Sequence, residues 1–419
     1  MGIGDIRKMA ETSPLLNDPF VEKVWDLING SSLFEKSPDS LRALRRSLMR
    51  ESFSFFARRS EGYAELFERA DVDPKSAELE DLARLVIPAD MLRGEGHSPF
   101  VIDDADEGGE YFMSSGTTGK SPVKVYRSPI DLAIMVKANA DLFEYVYGQY
   151  LEPGNGTALF MAAPELRKRL SFVAFVELAL ESKDIELLYG MKMEDSGEGD
   201  TPWQKLIPDR QNVVKFLKSK GEPKLFFTAP AGVYLMSQMF ETMSITKKII
   251  YKTATRAPPV DLGKGGVVVT GGGSKGFADL PPYNEIAQLS RKYFKASRSD
   301  VEVPTPFMDV LGMTETLTAM IDNLGTMDKI PHPLSETFLL DPATFELIEE
   351  EGKEGLLCVF NPFVTTWLEA FYPGDLMIAQ PSERYYGREF VFGRRLTIKD
   401  GWDLQRACGG TLEEMMTKE

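Results

Sequence analysis

Hydrophobic residues recur at helical spacing through the first part of the chain. Residues 40–56 place four large apolar side chains on one face of a predicted helix: Leu41, Leu44, Leu48 and Phe55. Ser60 can cap the segment that follows, because its hydroxyl oxygen can accept a hydrogen bond from an N–H group of the first turn. We therefore predict that residues 1 to about 95 are mainly helical.

The pattern changes near residue 110, where short apolar runs alternate with glycine and proline. Four of these runs are predicted strands: 158–163, 225–228, 266–270 and 356–360. Residues 131–147 and 280–294 have apolar side chains at helical spacing, whereas 194–201 and 253–265 are polar and are predicted as exposed loops. Strands that alternate with helices are typical of an α/β fold with at least one partly parallel sheet.

Composition narrows the class of protein. The 419-residue chain is 43% hydrophobic, enough for a sizeable core, and its net charge of −16 comes without a clustered Lys and Arg face, which argues against nucleic acid. Two cysteines are too few for a disulfide framework. Since there is no signal peptide and no apolar run of the roughly 20 residues that cross a bilayer, we expect a cytoplasmic protein without a membrane span.

A segment rich in glycine and hydroxyl groups, YFMSSGTTGKSP at 111–122, is the strongest chemical signal. Glycine lets successive backbone N–H groups converge on an anion, and hydroxyls and lysine add donors for phosphate. The candidate phosphate-binding residues are Ser114, Ser115, Gly116, Thr117, Thr118, Gly119 and Lys120. Only two glycines frame this loop, so it is not a Walker A motif, and a flexible polar turn is the alternative.

A glycine cluster, VVVTGGGSKGF at 267–277, follows a predicted strand. A dinucleotide site of the GxGxxG type needs a helix at once, yet prolines at 281 and 282 delay it. A hydrolase with Ser274 as nucleophile needs a later histidine, but His97 precedes it and His332 lies between two prolines. The remaining interpretation is a turn at a strand end, against which a flat ring can lie.

Two later segments each present a carboxylate. In PFMDVLGMTET, residues 306–316, Glu315 stands beside hydroxyl groups and can hold Mg²⁺ against phosphate oxygens. The alternative is a helix start, with Thr314 as the cap and Glu315 in the first turn. In FYPGDL, residues 371–376, Asp375 follows a Pro-Gly pair, which by itself is an ordinary turn.

The order of these segments resembles the motif series of the ANL adenylate-forming enzymes from about residue 110 onward: SSGTTGK, GGG, GMTE, GD and GR. Within that superfamily, the chain resembles the LuxE-type acyl-protein synthetases, the ligase component of the bacterial bioluminescence fatty acid reductase. GGGSKGF at 271–277 is similar to that family's GGGWKGF. LDPATFEL at 340–347, EGLL at 354–357 and RACGGTL at 406–412 resemble its LDPET, EGLL and RGCSL stretches.

This resemblance implies an α/β ANL-type large domain over 1–385, of which 1–100 is mainly helical, and a short C-terminal segment over 386–419 in place of a full lid domain. It also implies ATP and Mg²⁺ as cofactors and a small-molecule carboxylic acid, fatty or otherwise, as the substrate. After position 395 only 24 residues follow, and Leu396 replaces the expected Asp hinge. On this resemblance we expect the lid, with the lysine that usually promotes adenylation, to be shortened or absent, with Lys399 a weak substitute.

Roles for individual residues also follow from the resemblance. The loop 114–120 would cradle the ATP phosphates, Gly272 and Gly273 would lie against adenine, and Asp309 would accept from the adenine amino group. Leu311 stands where the superfamily usually has a Tyr that stacks on adenine, so an apolar contact remains.

The same resemblance assigns the residues around the reacting centre. Thr314 and Glu315 would serve the α-phosphate and Mg²⁺, and Asp375 would bind the ribose hydroxyls with Arg394 nearby. Such a set suits the chemistry, because two anions, the acid and the α-phosphate, must be held in line.

Cys408 is a candidate acyl acceptor, since its family counterpart carries the acyl group as a thioester. Arg406 lies two residues away and can lower the pKa of the thiol. An inert free thiol is the alternative, and Cys358, in an apolar run, is expected in the core. Three functions stay open: a ligase that passes its acyl group to a partner such as a reductase, an adenylating enzyme of secondary metabolism with another acceptor, and a nucleotide-binding protein without turnover.

Overall fold

The computed structural model describes residues 1–30, 32–93, 100–114, 121–147, 156–194, 205–272, 280–298, 301–322, 325–382 and 385–396. Its contacts divide into two compact units. The first unit comprises Met1–Phe143, Met313–Met320 and the residues from Asp328 onward to Leu396, and the second comprises Glu144–Gly312 and Ile321–Met327. Each unit is described by itself.

The described helices, in chain order, are α1 (Ile3–Glu11), α2 (Pro19–Asn29), α3 (Pro38–Arg59), α4 (Glu61–Arg69), α5 (Leu79–Ala83), α6 (Pro129–Tyr147), α7 (Ser171–Ser182), α8 (Arg210–Lys218), α9 (Pro230–Thr242), α10 (Ile245–Thr255) and α11 (Tyr283–Ser290). The first five confirm the predicted helical region. Asp18 caps α2 and Ser37 caps α3 through their side-chain oxygens. Ser60 is the N-cap residue of α4, as predicted, although its side chain makes no capping hydrogen bond.

The described strands are β1 (Ile87–Pro88), β2 (Glu110–Met113), β3 (Lys124–Arg127), β4 (Thr157–Phe160), β5 (Glu186–Tyr189), β6 (Met191–Glu194), β7 (Lys205–Pro208), β8 (Lys224–Thr228), β9 (Val260–Lys264), β10 (Val267–Gly271), β11 (Phe294–Arg298), β12 (Val301–Val303), β13 (Phe307–Leu311), β14 (Met320–Asp322), β15 (Asp328–Ile330), β16 (Glu336–Leu340), β17 (Leu347–Ile348), β18 (Glu354–Phe360), β19 (Ala370–Tyr372), β20 (Asp375–Ser382) and β21 (Gly387–Arg395).

In the first unit, a mainly antiparallel sheet has the order β1-β19-β18-β20-β21-β15, and β16 pairs with β18 and β17. The helical region packs on it through aromatic side chains. Phe53 of α3 lies 5.7 Å from the ring of Phe360, and the Tyr63 hydroxyl accepts from the Leu368 N–H group at 2.8 Å. Cys358 is fully buried in β18, as predicted for a core residue.

In the second unit, five parallel strands have the order β5-β4-β8-β10-β13. Strands β4 and β8 are buried along their whole length because helices cover a parallel sheet on both faces, and such strands are continuously apolar rather than alternating. The predicted strands are therefore confirmed within a few residues. The carboxyl ends of all five strands meet at one edge, where α/β folds bind ligands.

The prediction of an exposed loop at residues 253–265 is wrong. Residues 253–265 contain the end of α10 and the whole of β9, which pairs in parallel with β11. In β9, Val260 and Leu262 are buried and Asp261 between them is exposed. This is the period of two expected of a strand, which the prolines at 258 and 259 obscure in the sequence. The loop at 194–201 lies almost wholly outside the described residues.

No helix in the described ranges combines the length and the apolar character needed to cross a membrane.

Candidate active site

The residues between β13 and β14 that carry Glu315 are held by a buried ion pair in the first unit. Arg127, at the end of β3, donates from Nη1 to Oε2 of Glu369 at 2.7 Å, and the two side chains are 1% and 0% exposed. Nη2 of Arg127 donates to the backbone carbonyl of Glu315 at 2.7 Å. Charged groups are rarely this deeply buried unless they are paired. Through its bond to the carbonyl, Arg127 fixes the Glu315 backbone from inside the unit.

Hydrogen bonds with buried side chains also hold residues 316 and 317 of the same loop. Oε1 of Glu369 accepts from the Leu317 N–H group at 2.7 Å and from Nδ2 of Asn361, which also donates to Oγ1 of Thr316 at 3.0 Å. Asn139 of α6 donates to the Leu317 carbonyl at 3.0 Å. Because these partners are buried, the hydrogen bonds define the path of the loop.

Glu315 itself is fully buried, and neither oxygen of its carboxylate has a hydrogen-bond partner on another described residue. Burial raises its pKa, and the backbone N–H group of Glu315 itself and then the charges of Arg395, Arg93 and Arg127 oppose that rise. Most buried polar atoms are hydrogen-bonded, since an unpaired one costs about 1–3 kcal/mol. The carboxylate thus has acceptor capacity that the described protein does not use.

No helix begins at Thr314. Residues 312–319 form bends and irregular chain between the two strands, so the alternative of a helix cap with Glu315 in the first turn is wrong. The hydrogen bonds to Arg127 and Glu369 determine the backbone conformation instead, and they outweigh the local sequence signal for a helix start.

Asp375 begins β20 after a turn at Gly374, whose φ of 87° favours glycine. Oδ1 of Asp375 lies 3.0 Å from Nε of Arg395, and Nη2 of Arg395 also donates to the Pro373 carbonyl at 2.9 Å. Arg394, predicted near Asp375, pairs with Leu376 in the β20–β21 register and is exposed. Neighbouring side chains of a strand face opposite sides, so the arginine beside Asp375 is Arg395.

The two strands that flank the predicted phosphate loop are paired with each other. Strands β2 and β3 form a hairpin, and Ser114 closes it: its Oγ accepts from the Val123 N–H group at 2.8 Å and its N–H group donates to the Val123 carbonyl at 2.9 Å. Beside it, Nζ of Lys124 lies 4.7 Å from the ring centre of Tyr111. Ser115, Gly116, Thr117, Thr118, Gly119 and Lys120 lie outside the described residues.

In the second unit, the predicted adenine contacts lie at the carboxyl ends of β10 and β13. Thr270 and Asp309 are register partners, and Oγ1 of Thr270 donates to Oδ1 of Asp309 at 2.8 Å. The Tyr283 hydroxyl lies 3.0 Å from Oγ1 of Thr270; burial, and then the Asp309 charge, raise the pKa of this phenol. Gly272 turns the chain just after β10 with a φ of 94°, and Leu311 ends β13.

The predicted site residues therefore fall into three groups. The first unit contains Ser114, Thr314, Glu315, Asp375 and Arg394. In this unit Arg395 forms an ion pair with Asp375, and its positive charge opposes the rise in the pKa of Glu315. Gly272, Asp309 and Leu311 belong to the second unit. Gly273, Cys408 and the loop residues 115–120 lie outside the described residues.

Sequence reasoning missed Arg127, Glu369 and Arg395. For Glu369 a signal exists: it is the one acid in the otherwise uncharged run VTTWLEAFY at 364–372, and a carboxylate in such a run is buried and needs a partner. Arg127 carries no comparable signal, because its partner is 242 positions away.

No family model and no curated protein matches the chain. Among solved structures, it is similar to 2-hydroxyisobutyryl-CoA ligase bound to 2-HIB-AMP and CoA in the thioesterification state, with a TM-score of 0.57 and 15% identity over 86% of this chain and 69% of that one. The same ligase in the postadenylation state gives a TM-score of 0.55 and 14% identity over 85% and 67%.

At this identity the likeness establishes the fold. The chain has the fold of 2-hydroxyisobutyryl-CoA ligase, and the predicted α/β fold class is confirmed.

Proposed function

We propose that this protein activates a carboxylic acid with ATP, forms an acyl-adenylate and passes the acyl group to a thiol. The observation that carries the proposal is the Glu315 carboxylate, fully buried and without a partner on any other described residue, on a loop held by the Arg127–Glu369 pair. It stands in the Gly-Met-Thr-Glu segment, and the ANL fold supports the assignment.

The residues present fit Mg²⁺. No group of three or more His, Cys, Asp or Glu side chains suited to a metal occurs within the described residues, but Mg²⁺ in nucleotide enzymes is usually held by one or two carboxylates together with phosphate oxygens and water. Glu315 would hold the ion, with Thr314 beside it. When bound, Mg²⁺ would neutralise charge on the phosphates.

The chain's own residues would bind and orient the two reactants. Asp375, held by Arg395, would accept from the ribose hydroxyls, Asp309 from the adenine amino group, and the loop 114–120 would donate to the phosphates. An oxygen of the acid then attacks the α-phosphorus, a P–O bond to the acid forms, and the bond to pyrophosphate breaks. Positioning and charge neutralisation supply the rate enhancement, since no protein group needs to react.

Pyrophosphate exchange with a panel of carboxylic acids tests the activity. We expect labelled pyrophosphate to enter ATP only in the presence of one class of acid, with short, aromatic and fatty acids tested separately. If ATP binds but no acid supports exchange, the proposal is wrong and the protein is a nucleotide-binding protein without turnover.

A separate prediction concerns ATP binding by the phosphate loop. We expect the Thr117→Val/Thr118→Val variant to bind ATP at least about tenfold more weakly by calorimetry, because two hydroxyl donors to a charged acceptor are lost. Thr12→Val, which removes an exposed hydroxyl at the end of α1, serves as the control and should leave affinity unchanged. Equal ATP affinity in the double variant and the wild type would show that the loop does not bind the phosphates.

A finer proposal concerns the acyl acceptor. We propose that Cys408 carries the acyl group as a thioester, that the acid is fatty, and that a partner protein such as a reductase takes the group on. The similarity of RACGGTL at 406–412 to the acyl-protein synthetase segment supports it, as does Arg406, whose charge favours a thiolate.

Incubation with ATP, Mg²⁺ and the preferred acid should add one acyl mass to the protein, and neutral hydroxylamine should remove it, because thioesters are labile and amides are not. Cys408→Ser should abolish that mass and keep pyrophosphate exchange. Cys358→Ser is the matched control and should keep both, since Cys358 is fully buried and burial raises the pKa of its thiol. A wild type that exchanges pyrophosphate but never gains the mass has a different acceptor.

A further inference from the structure

Helix α10 of the second unit exposes an apolar face. Ile245, Ile249 and Ile250 are 78%, 61% and 64% exposed. The opposite side of the helix packs inward, with the Tyr251 ring 5.9 Å from the ring of Phe240 on α9. An amphipathic surface helix normally turns its isoleucines toward the core, whereas these three turn away from it.

The exposed face has basic edges. At 100° per residue, Thr246 and Thr253 fall between the isoleucines, and Lys247 and Lys252 flank the face on its two sides. Apolar residues bordered by lysine are the pattern of a helix that lies in a membrane–water interface. Leu235 and Met239 of α9 add further exposed apolar surface in the same unit.

The local charge opposes that of the whole chain. Residues 242–260 contain four basic residues and no acidic one, although the protein carries a net charge of −16. A positive, apolar surface is complementary to an anionic one. A second copy of the chain is a poor occupant, because a two-fold contact through α10 would bring its lysines against their own counterparts.

We propose that α10 docks this protein on an anionic lipid surface, with Ile245, Ile249 and Ile250 at the boundary of headgroups and acyl chains and Lys247 and Lys252 against the headgroup charges. The contact is peripheral, since the 11 residues of α10 are far short of the roughly 20 that span a bilayer. It does not depend on adenylation, and the test below uses neither ATP nor acid.

Co-sedimentation with vesicles tests the proposal. Wild-type protein should bind phosphatidylcholine vesicles that contain about 30% phosphatidylglycerol and not vesicles of phosphatidylcholine alone. Binding should fall as salt rises to about 0.5 M, because salt screens the lysines.

Paired variants separate the two contributions. Ile249→Ser/Ile250→Ser should lower the partition coefficient at least about tenfold through lost apolar burial, and Lys247→Gln/Lys252→Gln roughly 30-fold at low salt, given the usual gain per lysine near an anionic membrane. Met91→Ser, at an apolar residue of the first unit that is 50% exposed, is the matched control and should bind as the wild type does.

Circular dichroism confirms that each variant is folded, which is expected because all the changed side chains are exposed. The proposal is overturned if the wild type does not bind anionic vesicles at low salt, or if the isoleucine double variant binds as well as the wild type. It is also overturned if the wild type is a dimer in solution that the isoleucine double variant converts to a monomer, since the occupant of the face is then a second copy.

Discussion

Glu315→Gln is expected to lower acid-dependent pyrophosphate exchange by about 10²–10³-fold, the loss typical of removing one preorganised group that stabilises charge in a transition state. Glutamine keeps the shape of the side chain and removes the charge that would hold Mg²⁺ against the α-phosphate. The measurement is the exchange rate per folded molecule, at saturating ATP and with the preferred acid.

The same substitution should not destabilise the protein. Burial raises the pKa of Glu315, so the folded state penalises the ionised carboxylate, and this penalty is present at pH 7 and absent at pH values below the pKa of the unfolded chain. Glutamine is neutral at every pH, and we therefore expect an equal or higher melting temperature at pH 7 in the absence of nucleotide. Lost activity with retained stability is the signature of a functional group held at a cost.

Glu389→Gln is the matched control for Glu315→Gln. Glu389 lies on β21 of the same unit, and burial raises its pKa too, but its carboxylate accepts from the side chain of Gln380. Exchange should stay near the wild-type rate in this variant. A Glu315→Gln protein that melts earlier and yet exchanges pyrophosphate at the wild-type rate would show that Glu315 is a structural residue.

Local sequence patterns predict much of this fold because apolar spacing and turn residues reflect the conformation of the segment that contains them. The helical region and the buried strands of the parallel sheet show as runs of apolar residues at the right spacing. The glycines at 272 and 374 mark turns that need a positive φ. The prolines before β9 conceal a strand that is only five residues long.

The support of the candidate site is not visible in local patterns. Arg127 and Glu369 are 242 positions apart, and nothing near either residue identifies the other. The choice between Arg394 and Arg395 depends on the phase of β21, which shifts at a register irregularity beside Leu376. Motifs thus locate the residues that would touch the nucleotide, whereas the residues that hold them in place require the structure.

Glu369→Gln is expected to lower the free energy of unfolding by about 3–5 kcal/mol, since it removes the carboxylate that forms an ion pair with the buried Arg127 guanidinium. Both side chains are at most 1% exposed, so water cannot replace the lost carboxylate. Urea unfolding followed by tryptophan fluorescence measures the loss, and Trp367, fully buried two residues from Glu369, reports on this region.

The double variant Arg127→Met/Glu369→Gln separates the pair from its parts. Removing both charges should recover a large share of the stability lost in Glu369→Gln, because replacing a whole buried pair costs less than breaking it. Exchange activity should stay low in the double variant, since the Glu315 carbonyl loses the Arg127 donor that holds the loop. Lys215→Gln, which breaks the exposed pair with Glu186, should cost less than about 1 kcal/mol. A loss in Glu369→Gln no larger than in Lys215→Gln, or full exchange activity in the double variant, would show that this pair does not support the site.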